Sequence, residues 1–329
     1  MSSSHLDIQT TVEVKPVVEL SIVIPMYNEE TNLEPLIKRL LTILNNLDTS
    51  YEIICVNDGS TDQTLAKLLE YHNRFPCIKV IELSRNFGKE IALSAGLDYT
   101  QGAAVIPIDA DLQDPPELIT ELLAKWREGY EVVYATRRFR QGETFTKRFT
   151  ANLFYRVMTH LSDIPIPKNT GDFRLMDRRV VEALARLPER TRFMKGLFAW
   201  VGFKQTAIFY DREPRYSGKT SWNYWRLWNL ALEGITSASV LPLKLWSYIG
   251  LLLSLLSFGY AIFLILRTLW LGIDVPGYAS IMVAVLFLGG IQLITLGTIG
   301  EYLARVYIEV KARPLYLVRQ LHGFESRTN

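Results

Sequence analysis

The sequence AVIPIDADLQDPP, at residues 104–116, decides the fold of this chain. It begins with a short apolar run that is typical of a buried strand, and two carboxylates, Asp109 and Asp111, follow at the end of that run. Pro115 and Pro116 then favour the start of a helix, because the first turn leaves its backbone N–H groups unbonded and proline has none to lose. A strand, an acidic turn and a helix in this order predict one unit of an α/β sheet.

The same alternation extends on both sides of this stretch. Short apolar runs predict strands at 20–25, 51–57, 78–83, 104–109 and 132–136. The amphipathic segments between them predict helices at 29–46, 62–75, 89–100 and 116–128. We therefore expect a mostly parallel sheet flanked by helices, with ligands bound beyond the carboxyl ends of the strands.

Two long uncharged stretches near the C-terminus, 245–266 and 275–300, predict transmembrane helices. Each exceeds the roughly 20 apolar residues that cross a bilayer. The connector between them is short, so we expect a hairpin with spans at about 245–266 and 279–300. Basic residues flank the outer ends of this hairpin, which predicts a multi-pass protein of the cell inner (plasma) membrane with both termini in the cytoplasm.

The predicted organisation has five parts. They are a flexible N-terminal tail at 1–17, a cytoplasmic α/β domain at 18–220, an interfacial juxtamembrane helix at 221–242, the transmembrane hairpin at 243–300, and a cytoplasmic juxtamembrane helix and tail at 301–329. The segment 221–239 carries aromatic residues at helical spacing, which fits a membrane-surface helix or a core-facing helix equally well. Its position directly before a span favours the membrane surface.

Composition and motifs exclude several other classes. The 36 basic and 34 acidic residues nearly cancel, so no overall field favours nucleic-acid binding. Cys55 and Cys77 form neither a disulfide framework nor a zinc motif, and we expect reduced thiols. The chain lacks a G-x-G-x-x-G after its first strand and a Walker lysine, which argues against a nicotinamide enzyme and a P-loop nucleotidase.

The acidic pair at Asp109 and Asp111 has two interpretations when it is taken alone. Two carboxylates at the end of a buried strand suit a hard divalent cation that completes its shell with diphosphate oxygens and water. Acidic residues also cap helices, and Asp114 before Pro115 could do so here. The D-x-D pattern therefore fits a metal site or a capping loop.

Several motifs in order resemble those of family 2 glycosyltransferases, which have the Rossmann-like GT-A fold. They are SIVIPMYNE at 21–29, VNDGS at 56–60 and DADLQDPP at 109–116. The chain is more closely similar to the polyprenyl-phosphate branch, which includes bacterial bactoprenol glucosyltransferases and dolichyl-phosphate mannosyltransferases. Three further motifs and the two-span tail extend the resemblance over about residues 19–318; these motifs are NFGK at 86–89, TGDFRL at 170–175 and REPR at 212–215.

The resemblance implies roles for residues at the strand ends and beyond. Binding of the nucleotide sugar would involve Pro25, Tyr27, Glu29, Asp58, Lys89 and Asp109. A Mg²⁺ or Mn²⁺ ion would be held by Asp111, Gln113 and Asp109. Asp172 would face the acceptor, as a base or as an orienting group, and Arg137 and Arg215 would bind the lipid phosphate or the leaving diphosphate. Ordinary surface charge is the competing interpretation of both arginines.

The resemblance also implies the reaction. We expect inverting transfer of one hexose, glucose from UDP-glucose, to the phosphate of undecaprenyl phosphate at the cytoplasmic membrane face. The absence of a Q-x-x-R-W motif favours a single transfer over processive synthesis. The alternatives are another donor, of the GDP-mannose or UDP-aminoarabinose type, and a catalytically silent membrane scaffold. Partners would be the donor, the lipid phosphate and the bilayer, and Gly290, Gly297 and Gly300 would allow helix packing within a hairpin or in a homo-oligomer.

Overall fold

A computed structural model describes residues 18–137, 170–187, 189–190, 194–211 and 277–324, with scattered positions between 248 and 270. The strands are β1 (Leu20–Met26), β2 (Tyr51–Asn57), β3 (Ile78–Leu83), β4 (Ala104–Pro107), β5 (Val132–Arg137), β6 (Thr170–Asp177), β7 (Gln205–Tyr210) and β8 (Val318–His322). The helices are α1 (Leu33–Leu44), α2 (Thr64–Arg74), α3 (Lys89–Asp98), α4 (Ile119–Arg127), α5 (Arg178–Ala185), α6 (Met194–Trp200) and α7 (Tyr278–Lys311), and a 3₁₀ turn, Pro116–Leu118, precedes α4.

The strands described form one sheet in the order β7-β5-β6-β4-β1-β2-β3-β8. β1 lies near the centre and pairs in parallel with β2 on one side and with β4 on the other. The chain therefore reverses its direction of travel across the sheet at β1. A reversal of this kind opens a crevice beyond the carboxyl ends of the neighbouring strands, which is where α/β proteins bind ligands.

Helices cover both faces of the sheet because β1 is apolar on both sides. Ile22 and Ile24 are buried in the same cluster as α1, α2 and α4, whereas Val23 is buried with Leu93 of α3 and with α5. Alternate residues of a strand point to opposite faces, so this division follows directly from the sequence. Gly96 of α3 lies so close that an added Cβ would come within 2.3 Å of a Val23 methyl group.

The sheet is mostly parallel, as predicted, and the fold is of the GT-A type. Four strand pairs are parallel and three are antiparallel. The antiparallel pairs involve β6 and β8, which the sequence analysis did not predict. β6 runs antiparallel between β4 and β5, so its beginning lies at the ligand-binding edge of the parallel strands.

The long C-terminal helix α7 contains the second predicted span. Its 34 residues extend about 51 Å, which is more than the roughly 30 Å of a hydrocarbon core. Within the described residues, the segment Phe287–Lys311 is long and apolar enough to cross a membrane by length and composition, and none of it is buried against the protein. The described positions between 248 and 270 are helical. The predicted interfacial helix at 221–242 lies outside the described residues.

After α7 the chain returns to the sheet. β8 pairs antiparallel with β3, and the Tyr316 hydroxyl donates a hydrogen bond to Asp98 at 2.8 Å. Arg319 donates to Glu82 at 3.0 Å, and the ring of Phe324 meets Tyr99 edge to face at a centroid distance of 5.4 Å. Residues 318–322, which were predicted to be part of a C-terminal tail, therefore belong to the same sheet as β1–β7.

Candidate functional site

The polar residues of the first three motifs lie along one edge of the sheet. Tyr27, Asp58 and Asp109 follow the ends of β1, β2 and the short β4, at the crevice described above. Tyr27 is 46% exposed and offers an aromatic surface at the mouth of the crevice. Pro25 lies inside β1 opposite Val56 of β2. The sequence motifs are thus brought together by the parallel register of the strands.

One ammonium group joins two carboxylates at the centre of this edge. Lys89, the first residue of α3, places its Nζ 2.8 Å from Oδ2 of Asp109 and 2.7 Å from Oδ2 of Asp172. Asp172 reaches this position because the antiparallel register of β4 and β6, continued past the end of β4, brings it level with Asp109. The Lys89 side chain remains 46% exposed, so a ligand in the crevice can meet it.

The charges of this cluster shift each other's titration. Burial raises the pKa of Asp109, and the nearby carboxylate of Asp172 raises it further, although Lys89 acts in the opposite direction. Burial alone would lower the pKa of Lys89, but the two carboxylates outweigh that effect and the pKa is raised. The ammonium is therefore held in its charged form between two acids that compete for it.

Asp58 positions the loop that leads into Lys89. Its two carboxylate oxygens accept hydrogen bonds from the backbone N–H groups of Phe87 at 2.7 Å and Gly88 at 2.9 Å. The following Gly59 has a φ of +64°, and an added Cβ would lie 2.5 Å from the backbone of Arg85. Only glycine allows this close approach. Asp58 is only 2% exposed, and the loop engages both of its carboxylate oxygens.

The turns after β1 and β2 are tied together. The backbone N–H of Glu29 donates to the Thr64 hydroxyl at 2.9 Å, and the Glu29 carboxylate accepts from the Asn32 amide at 2.6 Å. Asn28 has a φ of +56°, and its side-chain oxygen accepts from the backbone of Thr61 at 2.8 Å. These contacts hold the Tyr27-Asn28-Glu29 turn rigid beside the crevice.

The loop that contains Asp111 and Gln113 is held by a buried residue between them. Leu112 has a φ of +58°, which is unusual for a large side chain, and that side chain is buried in the core. The Asp111 carboxylate accepts from the backbone of Gln113 at 3.2 Å. Asp114 and Tyr210 are both buried, and the Tyr210 hydroxyl donates to the Asp114 carboxylate. This bond ties the loop to the end of β7.

These residues fit a divalent cation that shares its shell with a ligand. Within the described part of the chain, no group of three or more His, Cys, Asp and Glu side chains could hold a metal by itself. Mg²⁺ is commonly bound by one or two carboxylates together with substrate phosphates and water. Asp109 and Asp111 supply two such carboxylates. Gln113 is only 7% exposed, so its amide is the least accessible of the three predicted ligands.

The structure describes the two predicted phosphate-binding arginines only in part. Arg137 ends β5, in register with Tyr210 of β7, but its side chain is outside the described part. Arg215 and the basic residues at 138–148 also fall outside the described residues.

One residue of the site was not anticipated. Arg174 follows Asp172 by two positions on β6 and is only 6% exposed. Its guanidinium lies 3.9 Å from the centroid of the Phe198 ring and donates to the carbonyl of Gly171 at 2.8 Å. Burial lowers the pKa of Arg174 to about 10. The only sequence signal was the alternation in TGDFRL, which puts Asp172 and Arg174 on one face of a strand.

Two family models match separate regions of the chain. Residues 21–185 match the model described as glycosyl transferase family 2, and residues 241–306 match the model described as GtrB C-terminal hairpin. The first match covers the crevice from β1 to α5. The second covers both predicted spans.

Relatives match almost the whole chain. A protein of Synechocystis sp. described as an uncharacterized glycosyltransferase is 69% identical over 94% of this chain and 97% of its own length. A prophage-derived bactoprenol glucosyl transferase of Shigella flexneri is 46% identical over 92% of this chain and 98% of its own length. A prophage bactoprenol glucosyl transferase homolog of Escherichia coli is 45% identical over 92% and 99% of the two chains.

Proposed function

The chain belongs to glycosyltransferase family 2, and from this premise we propose that it transfers one sugar from a nucleotide sugar to the phosphate of a polyprenyl phosphate. The observation that carries the proposal is the crevice at the strand reversal, where Lys89 joins Asp109 and Asp172. The Shigella and Escherichia relatives are described as a bactoprenol glucosyl transferase and a homolog of one, which supports a bactoprenol acceptor, because the similarity includes the hydrophobic C-terminal region. Glucose from UDP-glucose is the donor we propose first.

In this proposal the donor lies along the edge formed by β1, β2 and β4. Pro25, Tyr27, Glu29 and Asp58 border the nucleoside, and Lys89 meets the diphosphate. Asp109, Asp111 and Gln113 hold a Mg²⁺ or Mn²⁺ ion. Such an ion neutralises charge that develops on a leaving diphosphate. The exposure of Lys89 supports its role, because its ammonium is accessible from the crevice and carries the positive charge that binds a diphosphate.

The acceptor phosphate would approach from the side of β6. A phosphate monoester has a second pKa of about 6, so the lipid phosphate is largely ionised at neutral pH. It therefore needs no strong base to remove its proton. Asp172 then orients the attacking oxygen rather than removing a proton from it. Attack on the face opposite the leaving diphosphate inverts the anomeric centre.

Arg137 and Arg215 complete the proposed site as phosphate ligands. A guanidinium keeps its charge and can bind two phosphate oxygens with a fixed geometry. Arg137 follows the β5 residues that lie beside β6 in the sheet, which supports a place near Asp172. Arg215 is assigned from its motif alone.

The division of the chain into a cytoplasmic domain at 18–220 and a hairpin at 243–300 remains part of the proposal. Pairing of β8 with β3 supports it, because segments on both sides of the hydrophobic region then share one sheet and must lie on the same side of a membrane. An even number of spans satisfies this condition.

Cysteine labelling tests this topology. In a variant without Cys55 and Cys77, we expect a cysteine at position 274, between the spans, to react with a membrane-impermeant maleimide added outside intact cells. A cysteine at the exposed Lys311 position should react only after lysis. Labelling of position 274 solely after lysis would contradict the hairpin.

The transfer itself is tested with purified protein, undecaprenyl phosphate, Mg²⁺ and a panel of radiolabelled nucleotide sugars. We expect one donor to give a labelled glycosyl lipid phosphate that carries a single sugar of inverted configuration. The matched control replaces the acceptor with undecaprenol, which lacks the phosphate and should give no product. Donor binding without product from any donor would instead support the silent scaffold.

A further inference from the structure

Arg174 is a buried cation directly behind the acceptor side of the site. Its side chain is 6% exposed and leaves the sheet on the same face as Asp172, two residues earlier on β6. The guanidinium donates to the carbonyl oxygen of Gly171 at 2.8 Å, so it holds the residue that immediately precedes Asp172. The Phe198 ring packs against the guanidinium at 3.9 Å and restricts its movement.

The stability of the fold does not explain this residue. A buried guanidinium loses its hydration, and apolar residues of similar volume often stabilise a protein at least as well. The buried Nε atom of Arg174 has no hydrogen-bond partner in the part of the chain that the structure describes, which adds to the cost of burial. Costs of this kind are typical of residues kept for function.

The backbone contact of Arg174 indicates what that function is. The guanidinium holds the Gly171 carbonyl, and the next residue, Asp172, contacts Lys89 at the crevice. The acidic groups of Asp172 and Glu90 favour the charged form of Arg174. Asp172 thus follows a backbone group that is held by a buried guanidinium, and its carboxylate meets an exposed ammonium.

We propose that Arg174 is a positioning residue for sugar transfer: its hydrogen bond to the Gly171 carbonyl fixes the backbone that carries Asp172, so that Asp172 keeps its place when the donor engages Lys89. This inference rests on the proposed function. Because Arg174 is buried, we expect it to make no contact with the donor, so its loss should lower kcat and leave the donor KM unchanged. Donor affinity should be retained, because the nucleoside and metal residues lie on other strands.

The test compares Arg174→Gln with Arg174→Lys in the full-length protein. Gln keeps N–H hydrogen-bond donors but has no charge. Lys keeps the charge but lacks the planar guanidinium with its several N–H donors. We expect kcat to fall by about tenfold to a hundredfold in Arg174→Gln, by analogy with residues that orient metal ligands, and to fall less in Arg174→Lys. The matched control is Arg178→Gln, since Arg178 also donates to a backbone carbonyl, that of Gly102, but at the opposite end of the sheet.

The outcomes separate this inference from the proposed function. Absence of transfer by the wild-type protein with every donor would overturn the proposed function. Wild-type transfer together with an unchanged kcat in folded Arg174→Gln would overturn only the role of Arg174, as would a loss that Arg178→Gln reproduces. If Arg174→Gln does not fold, a folded Arg174→Lys with wild-type kcat and donor KM overturns it equally.

Discussion

Two carboxylate networks stand at opposite ends of the same sheet. At the amino end of β2, Glu52 is 1% exposed and accepts hydrogen bonds from the Ser21 hydroxyl at 2.6 Å, the Gln101 backbone at 2.7 Å and Lys79 at 2.7 Å. One carboxylate there has three donors. At the carboxyl end, Asp109 and Asp172 share the single ammonium of Lys89.

The difference separates a structural site from the proposed ligand site. The Glu52 network is enclosed, and its donors lie at the start of β1, at the start of β3 and in the turn before β4. It therefore fixes the amino ends of these strands and has little room for a ligand. The Lys89 network is partly exposed, and its ammonium contacts two acids that repel each other. A divalent cation that enters the crevice would relieve this repulsion.

The largest expected effect is that of Asp111→Asn. Removal of one carboxylate from the proposed metal site should lower transfer by about a hundredfold or more, because neutralisation of a leaving diphosphate contributes several kcal/mol to such reactions. The fold should survive, since Asp111 is only partly buried. The check is kcat at saturating donor and Mg²⁺, with circular dichroism to monitor the fold. Wild-type turnover in the folded variant would exclude Asp111 as a ligand.

The two lysines give the sharpest contrast between the networks. Lys89→Met should lower kcat by about a hundredfold, because it removes the cation that we propose faces the donor phosphates. Lys79→Met, its counterpart at Glu52, should lower the thermal midpoint Tm without changing the kcat of the folded protein. Initial rates and Tm measured on both variants decide the matter. Equal losses of kcat in the two variants would show that the Lys89 network is no more important for transfer than the Glu52 network.

Glu52→Gln is expected to affect stability alone. It leaves Lys79 without its anionic partner in an enclosed site, which costs about 3 kcal/mol. In a domain of this size, that cost corresponds to a decrease in Tm of roughly 6–12 °C. Thermal unfolding in detergent measures it, and the kcat at a temperature below the transition should remain that of the wild type. A Tm like that of the wild type would show that the network contributes little.

The smallest effect concerns Tyr210→Phe, which removes the hydrogen bond to Asp114. Loss of a buried bond to a carboxylate should cost about 2 kcal/mol and loosen the loop that carries Asp111, so kcat should fall severalfold. Tyr51→Phe is the matched control, because it removes an exposed hydrogen bond, to Asn45, far from the crevice. An unchanged kcat in Tyr210→Phe would mean that β7 does not influence the loop.

Much of the central sheet could be predicted from the sequence. The predicted strands at 51–57 and 78–83 have the observed bounds, because continuous apolar runs between polar turns leave little ambiguity. The first helix begins at Leu33 rather than at residue 29, since Glu29 and Asn28 are held in a turn by bonds to Thr64 and Thr61. Such contacts between segments far apart in sequence are not visible in local periodicity.

Of the three strands that were not predicted, β6 and β8 show the same reason, and β7 is the third. β6 has the sequence TGDFRLMD and β8 has VRQLH, and neither shows a long apolar run. Both become strands because they pair with β4, β5 and β3, which lie far away along the chain. The proposed role of Arg174 depends on that pairing, and therefore the alternation in TGDFRL could not indicate it by itself.

Photoaffinity labelling tests most directly whether the carboxyl end of the sheet binds the donor. The wild-type protein is irradiated with an azido-base analogue of the nucleotide sugar that the donor panel identifies, and the labelled peptides are mapped by mass spectrometry. Fragmentation of the labelled peptides assigns the modified residue, because Glu52 and Asp58 fall in one tryptic peptide. We predict label within two residues of Tyr27 or Asp58, and loss of this label when unmodified donor is in excess. Competable label at Glu52, Lys79 or Arg178 would contradict the account.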